Sequence, residues 1–470
     1  MTNIGRRYLL AAAAVAPLAA CVSQPGPAPS PGPTAQTTTP TPTTAAPTPT
    51  PEPTPTLPFG LEEPSRVQAL IFDGAFGVSY VRSAADALRE AHDGVRVIVR
   101  SSTSISDDVA STFDGGTPPD LIDNTGAGSI PLADIAADLL ELDDLLAAEN
   151  LEGDIVGETL YSGVAEAGTF NGRLVALNYA LSVYGLWHSA SDFAAQGWSV
   201  PVAWDELLLL GEDARANGQY LFTWGDDAAY YYAELAIASA IKEGGHDVRR
   251  ALDSLAADGW AHPAVAGVLQ ALEQCVAEGF VLNDGTYLEA QDGWSMERRA
   301  LFYPSGSWIA KEMATRTAEG FEMTVSPVPT LTAAPTLPIN AVHAQPTEQF
   351  IVPRAAENPA GGQELLRIMV SREVAEEFAR TNLVPTVVRG STPTDLESTA
   401  LAAQTRMLAD AGEDVFSWRY VHHYGLREGY NRLWGEFLHG QLGAASLAEQ
   451  LQALSDEVRE DPEVRKYTVD

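Results

Sequence analysis

The sequence predicts an α/β fold of two lobes, each a mostly parallel sheet flanked by helices. From Val67 onward short apolar runs alternate with longer helical patterns, the order expected of strands joined by crossover helices. About 410 residues follow the low-complexity head, enough for two domains of ordinary size. Only two cysteines occur, Cys21 and Cys275, so apolar cores and not disulfides must hold the fold.

Residues 1–21 read as an export leader. Arg6 and Arg7 make a positive n-region, and Tyr8 to Ala20 fall short of the roughly 20 apolar residues a membrane span needs. Ala19 and Ala20 before Cys21 resemble a bacterial lipoprotein cleavage box, which implies lipidation of Cys21. Arg6-Arg7 followed by Tyr8-Leu9-Leu10 also fits a twin-arginine signal, so either export route suits the leader. Residues 22–58 are mostly Pro, Thr, Ala and Ser, with Glu52 as their one charge. Such a segment buries too little apolar surface to offset its ordering entropy. Proline stiffens it at about 3.1 Å per residue, a tether of roughly 100 Å. The head therefore predicts a protein lipid-anchored on the outer face of the cytoplasmic membrane.

Beyond the tether, Val67 to Phe72 reads as a strand, Ser79 to His92 as a helix, Val95 to Val99 as a second strand and Asp120 to Ile122 as a third. In such sheets ligands bind beyond the carboxyl ends of the strands. Asp73 to Phe76 and Asp123 to Gly126 directly follow strands, which makes them candidate ligand loops. Asn171-Gly172 signals a type I′ hairpin, and the apolar run through Trp187 reads as one or two strands. Trp204 opens a helix. Tyr220 to Trp224 is a strand, Tyr230 to Lys242 a helix, Arg299 to Tyr303 a strand, and Phe321 to Pro329 extended. Cys275 falls in an amphipathic helix and reads as a lone buried thiol.

The chain has 28 basic and 63 acidic residues, a net charge of -35. That balance argues against nucleic acid, which needs a basic footprint, and against docking on anionic lipid. It predicts a solvated acidic surface. Neither a phosphate loop nor a G-x-S-x-G or H-E-x-x-H pattern occurs. A surface glycoside hydrolase would use two carboxylates, and counting Asp and Glu leaves such pairs open. His422-His423 is a poor metal site, because adjacent side chains diverge and no spaced ligand motif accompanies them. No metal, cofactor or catalytic residue is expected.

Four motifs carry a family resemblance: Pro119-Asp120-Leu121-Ile122, Asn171 to Leu177, Trp204-Asp205-Glu206-Leu207 and Gly306-Ser307-Trp308. Together they resemble the extracellular solute-binding proteins of ABC importers, in the group that includes maltodextrin-binding proteins. Tyr230 to Tyr232, Ile237 to Gly245, Tyr303 to Trp308 and Pro359 to Met369 are similar to the receptors for N-acetylglucosamine and N,N′-diacetylchitobiose. The resemblance implies a two-lobed periplasmic-binding-protein-like fold (type II) with hinge crossovers. It divides the chain into an N-terminal lobe of 59–178 and 326–385 and a C-terminal lobe of 179–325 and 386–470. It implies a small carbohydrate held between the lobes, delivery to ABC permease subunits, a monomer, and no enzyme activity. A sugar sensor uncoupled from transport is the alternative. Two departures stand out: Ala203 replaces the usual hydroxyl N-cap before Trp204, and Asn178 stands where many members have proline.

A sugar offers C–H groups on its faces and hydroxyls at its rim, so a receptor needs flat aromatics and a few placed polar groups. Trp308, after a strand and a Gly turn, matches the family's sugar-stacking aromatic. Trp224 and Tyr230 follow another strand. Asn178 and Tyr179 lie near the expected crossover, and Asp73, Phe76, Asp123 and Asn124 come from the first loops. Trp294 is expected to close the cleft, with Trp418 and Tyr424 contributing from the late aromatic cluster. Trp204 and Trp260 are expected to be structural.

Overall fold

The computed structural model describes residues 57–470 except 114, 127, 394, 468 and 470, with only the backbone of 110 and 133. The leader, Cys21 and nearly all of the tether lie outside these residues.

Thirteen strands are described: β1 Ser65–Phe72, β2 Val95–Ser102, β3 Leu121–Asp123, β4 Thr169–Phe170, β5 Arg173–Leu174, β6 Leu177–Val183, β7 Gly185–Ser189, β8 Tyr220–Trp224, β9 Val281–Asn283, β10 Ala300–Ser305, β11 Met323–Ser326, β12 Val342–Ile351 and β13 Val415–Phe416. One sheet has the order β13-β12-β3-β1-β2, with β6 also paired to β12, and the other the order β11-β7-β10-β8-β9. β1 runs parallel to β2 and β3, and β8 runs parallel to β9 and β10. Beside these parallel pairs, as expected of the fold class, each sheet also carries antiparallel ones. β12 is antiparallel to β3 and β6, and β7 is antiparallel to β10 and β11. The cause is the crossing of the chain between sheets. β6 leaves the first sheet for β7 and β12 returns to it after β11, so outgoing and incoming strands run opposite ways without a crossover helix.

Local chemistry accounts for the elements. The helix Ser79–Ala91 buries Tyr80, Val81, Ala84, Ala85 and Leu88, a stripe of helical period. β4 and β5 form a hairpin whose corner residues Asn171 (φ 55°) and Gly172 (φ 73°) are both left-handed, as a type I′ turn requires. The Pro-Asp segment is explained by Asp120. Its carboxylate accepts from the Gln68 amide at 2.7 Å and from the Asn358 amide at 2.7 Å. It thereby joins β1 to the start of the helix Pro359–Met369. Gly362 lets that helix approach the Asp120 carbonyl, which any Cβ would strike. Ala203 sits at the N-cap of the helix Trp204–Ala216 with no side-chain bond, and Trp204 is anchored instead by its Nε1 donating to Ser239 Oγ at 2.7 Å.

Alternate β1 residues feed two cores. Val67, Ala69 and Ile71 enter a large cluster with the helices at 79–91 and 359–369, while Leu70 packs with Ile105, Val109 and Ile122 on the opposite face. A further cluster joins the second sheet to Trp204, Trp260, Trp434 and Leu447. Cys275 is buried and free within it. Among the described residues no helix is long and apolar enough to cross a membrane.

Candidate ligand-binding site

β10 ends at Ser305, and the short helix Trp308–Glu312 follows at once. Gly306 is required there, because a Cβ would collide with the Trp308 ring. The Ser307 hydroxyl accepts from the Val183 amide at 2.7 Å, which ties this turn to the end of β6. Trp308 is half-buried. Its Nε1 donates to the Tyr231 hydroxyl at 3.2 Å, and its ring meets Tyr184 edge-on, 5.5 Å between centroids at 82°.

From Tyr184 the stack continues. Tyr184 lies over His343 at 4.6 Å and 24°, and His343 lies over Trp418 at 3.8 Å and 16°. The imidazole is fixed in its plane as well, with Nδ1 3.1 Å from the Phe416 carbonyl oxygen and Nε2 3.1 Å from Glu234 Oε2. Beside the stack, Tyr230 packs on Tyr231 at 4.5 Å, and the Arg427 guanidinium covers the Tyr230 ring at 4.1 Å. Burial first, then the charge of Glu234, holds the Tyr184 phenol well above its ordinary pKa. Burial also raises the Tyr230 phenol, against the lowering effect of Arg427. Both phenols are therefore neutral groups able to donate and accept hydrogen bonds. The arrangement offers flat apolar faces beside a carboxylate, a guanidinium and two hydroxyls. It suits an uncharged polar ligand with a C–H face.

A second group of residues lies at the carboxyl ends of β1 and β3. Asp123 is fully buried and accepts from the Tyr80 hydroxyl at 3.2 Å and from the Thr125 hydroxyl. Burial nevertheless pushes its carboxyl up to about 7. Glu348, on β12, is also raised, by burial and then by Asp123. Its φ of 59° is unusual for a non-glycine residue inside a paired strand. Asn124 is buried and closes its own loop. Its Nδ2 donates to the Ile130 carbonyl at 2.8 Å and to Gln349 Oε1 at 3.0 Å, and its Oδ1 accepts from the Ile130 amide at 2.7 Å. Phe76 packs on Phe378 at 5.4 Å, and Asp73 is exposed. β12 carries His343 of the aromatic stack and Gln349 of this group, six positions apart or roughly 20 Å along the strand.

The sequence-predicted residues thus separate. Trp308, Tyr230 and Trp418 come together around Tyr184 and His343. Trp294 does not line a cleft. It is fully buried, parallel to Tyr303 at 5.8 Å and edge-on to Phe321 at 5.0 Å, with Nε1 donating to the Leu301 carbonyl at 3.3 Å. A ring covered on its faces by core residues has no surface to offer a ligand. Trp224 is likewise buried, with His439 against its ring at 4.9 Å. Tyr179 is buried against Tyr80 at 5.5 Å, with its hydroxyl unpartnered. Asn178, also buried, sits opposite Gln349 in the ladder. Tyr424 stacks on Tyr467 at 5.5 Å, apart from the Trp308 group. Trp204 and Trp260 are both in the core. Sequence reasoning missed Tyr184, Tyr231, Glu234, His343, Arg427 and Glu348. Signals were available for Tyr231, inside the Tyr230 to Tyr232 motif, and for Tyr184, the residue between two apolar strands where the chain changes sheets.

A cavity of about 670 Å³ lies elsewhere, walled by Met313, Phe321, Met323, Arg380, Leu383 and Asp395. It shares no residue with the stack, and the Arg380–Asp395 ion pair at 2.8 Å lies in its wall.

Comparison with known proteins agrees with this architecture. The bacterial extracellular solute-binding protein family matches residues 77–376. The diacetylchitobiose binding protein NgcE of Streptomyces coelicolor is 44% identical over 416 residues, covering 88% of this chain and 89% of that protein. Among solved structures, apo RafE from Streptococcus pneumoniae superposes with a TM-score of 0.66 at 18% identity, covering 84% of this chain and 99% of RafE. A chitin oligosaccharide binding protein gives 0.64 at 18% identity, with 84% and 99% covered. The sugar-binding protein MalE from Xanthomonas citri gives 0.65 at 13% identity, with 84% and 97% covered. At these identities the superpositions speak for the two-lobed type II fold alone. Matched along most of its length by sequence and by fold, the chain belongs to the bacterial extracellular solute-binding proteins.

Proposed function

We propose that this protein is the sugar receptor of an ABC importer and that it captures N,N′-diacetylchitobiose or N-acetylglucosamine. The observation that carries the proposal is the 44% identity to a diacetylchitobiose binding protein across nearly the whole of both chains. The half-buried Trp308 platform beside Tyr184, Tyr230 and Glu234 supports it, since it pairs an apolar face with neutral and charged hydrogen-bonding groups. Ligand enters between the lobes at 59–178 with 326–385 and at 179–325 with 386–470, and a hinge motion closes them. The closed receptor, a monomer without catalytic activity, engages the permease. Lipid on Cys21 keeps it on the outer face of the membrane, and residues 22–58 give it reach.

Calorimetry with N-acetylglucosamine, diacetylchitobiose, maltose and cellobiose tests the ligand. Heat with the acetylated sugars and little with the others is expected. A protein that binds maltose and neither acetylated sugar would overturn the assignment.

A further inference from the structure

Trp308 and Tyr184 stand at 82° with centroids 5.5 Å apart, so their rings form a corner and not a continuous platform. One wall is half-buried and the other mostly buried. Polar groups accompany the corner. Glu234 Oε2 lies 3.1 Å from Nε2 of the His343 ring that stacks on Tyr184, and the Arg427 guanidinium covers the Tyr230 ring at 4.1 Å. Glu234 keeps 15% of its side chain exposed, whereas its partner His343 keeps 1%. Tyr184 is not free to turn. His343 covers one of its faces, and His343 is itself pinned by Trp418, the Phe416 carbonyl and Glu234.

A pyranose ring fits one flat wall. A right-angled second wall with a mixed rim fits a planar substituent that projects from the ring and carries a methyl, an N–H and a C=O. Resting on the reading of the protein as an amino-sugar receptor, we propose that the Trp308–Tyr184 corner is its acetamido subsite. Trp308 takes the sugar face and the Tyr184 ring takes the acetamido methyl. The Glu234 carboxylate accepts from the amide N–H, and Arg427 or the Tyr184 hydroxyl donates to its carbonyl. Glu234 and His343 are also positioning residues, since they hold the Tyr184 ring upright. The subsite discriminates because a sugar with a hydroxyl in place of the acetamido leaves the rim groups unmatched and desolvated.

The test is the ratio of affinities for diacetylchitobiose and cellobiose, measured by calorimetry on the intact protein. The wild type should favour the acetylated disaccharide by about tenfold or more. Tyr184→Ala should reduce that ratio several-fold, and Tyr184→Phe, which keeps the ring, should lose only the part that the hydroxyl contributes. Glu234→Gln still accepts from His343 and should retain the ratio better than Glu234→Ala. A purely structural role would not order the variants this way. An unchanged ratio in Tyr184→Phe and Glu234→Ala, with melting temperatures near that of the wild type, overturns the subsite and leaves the receptor reading standing. A wild type that binds neither sugar overturns the receptor reading itself, and the subsite with it.

Discussion

Trp308 and Tyr184 meet edge to face at 5.5 Å, although Tyr184 joins β6 to β7 and Trp308 follows β10. Trp308→Ala should weaken diacetylchitobiose binding by about 30-fold or more, the equivalent of about 2 kcal/mol for a stacking anchor. Its partly buried ring also packs against the core, so the melting temperature should fall, but by less than for a fully buried tryptophan. Calorimetry and a thermal melt decide together. Unchanged affinity would reject the stacking role.

Trp294→Ala should behave in the opposite way. The ring is fully buried between Tyr303 and Phe321, and its loss should cost about 3–5 kcal/mol of stability. Urea denaturation would show the loss, while the folded fraction keeps its ligand affinity. A large affinity loss with unchanged stability would return Trp294 to the cleft.

Asp123 should make the protein less stable as pH rises. Its carboxyl is raised to about 7 by burial, against about 3.9 in an unfolded chain. Between those values the folded state holds a proton that the unfolded state has released. The stabilising contribution is therefore full below about pH 4 and fades as pH rises through about 7. Asp123→Asn should gain melting temperature over the wild type at pH 8 and gain little at pH 5. No difference between the two pH values would contradict this linkage.

Glu364 and Arg367 form a buried bidentate pair, Nε and Nη2 each 2.6 Å from a carboxylate oxygen, with Nη1 donating to the Glu149 carbonyl at 2.6 Å. Arg367→Met removes the main partner of a fully buried carboxylate and should cost about 3–5 kcal/mol. Adding Glu364→Leu should restore much of it, because the uncompensated charge is then gone. Guanidinium melts of the single and double variants measure both effects, and a double variant no better than the single would refute the charge explanation.

Periodicity and turn chemistry made much of the secondary structure legible. The strands at 65–72, 220–224 and 300–305 and the helices at 79–91, 204–216 and 231–244 fall where alternation and apolar stripes put them. Asn171-Gly172 announced its own hairpin. The mixed sense of the sheets was not legible, since local pattern carries no strand direction. The candidate site was legible where a motif fixed the backbone before a ring, as Gly306-Ser307 does for Trp308, whose role in binding is the proposal above. It was illegible for Glu234 and His343, whose neighbours in sequence are core residues of an ordinary helix and strand.

The sequence by itself determined the family, the α/β elements in their order, the acidic surface and the expectation of export on a stiff tether. Each of these is written in local composition, spacing or motif. Tertiary structure alone decided which tryptophans can meet a ligand. Trp294 and Trp308 carry the same side chain and both pack near Tyr303 and Tyr231 in one contiguous core, yet one is sealed and the other half-open. Exposure depends on what the rest of the chain brings across the ring. For Trp294 that is Phe321 from the segment before β11, and for Trp308 it is the nearly perpendicular ring of Tyr184 from the crossing between sheets. Those encounters are long-range, and no window along the chain contains them.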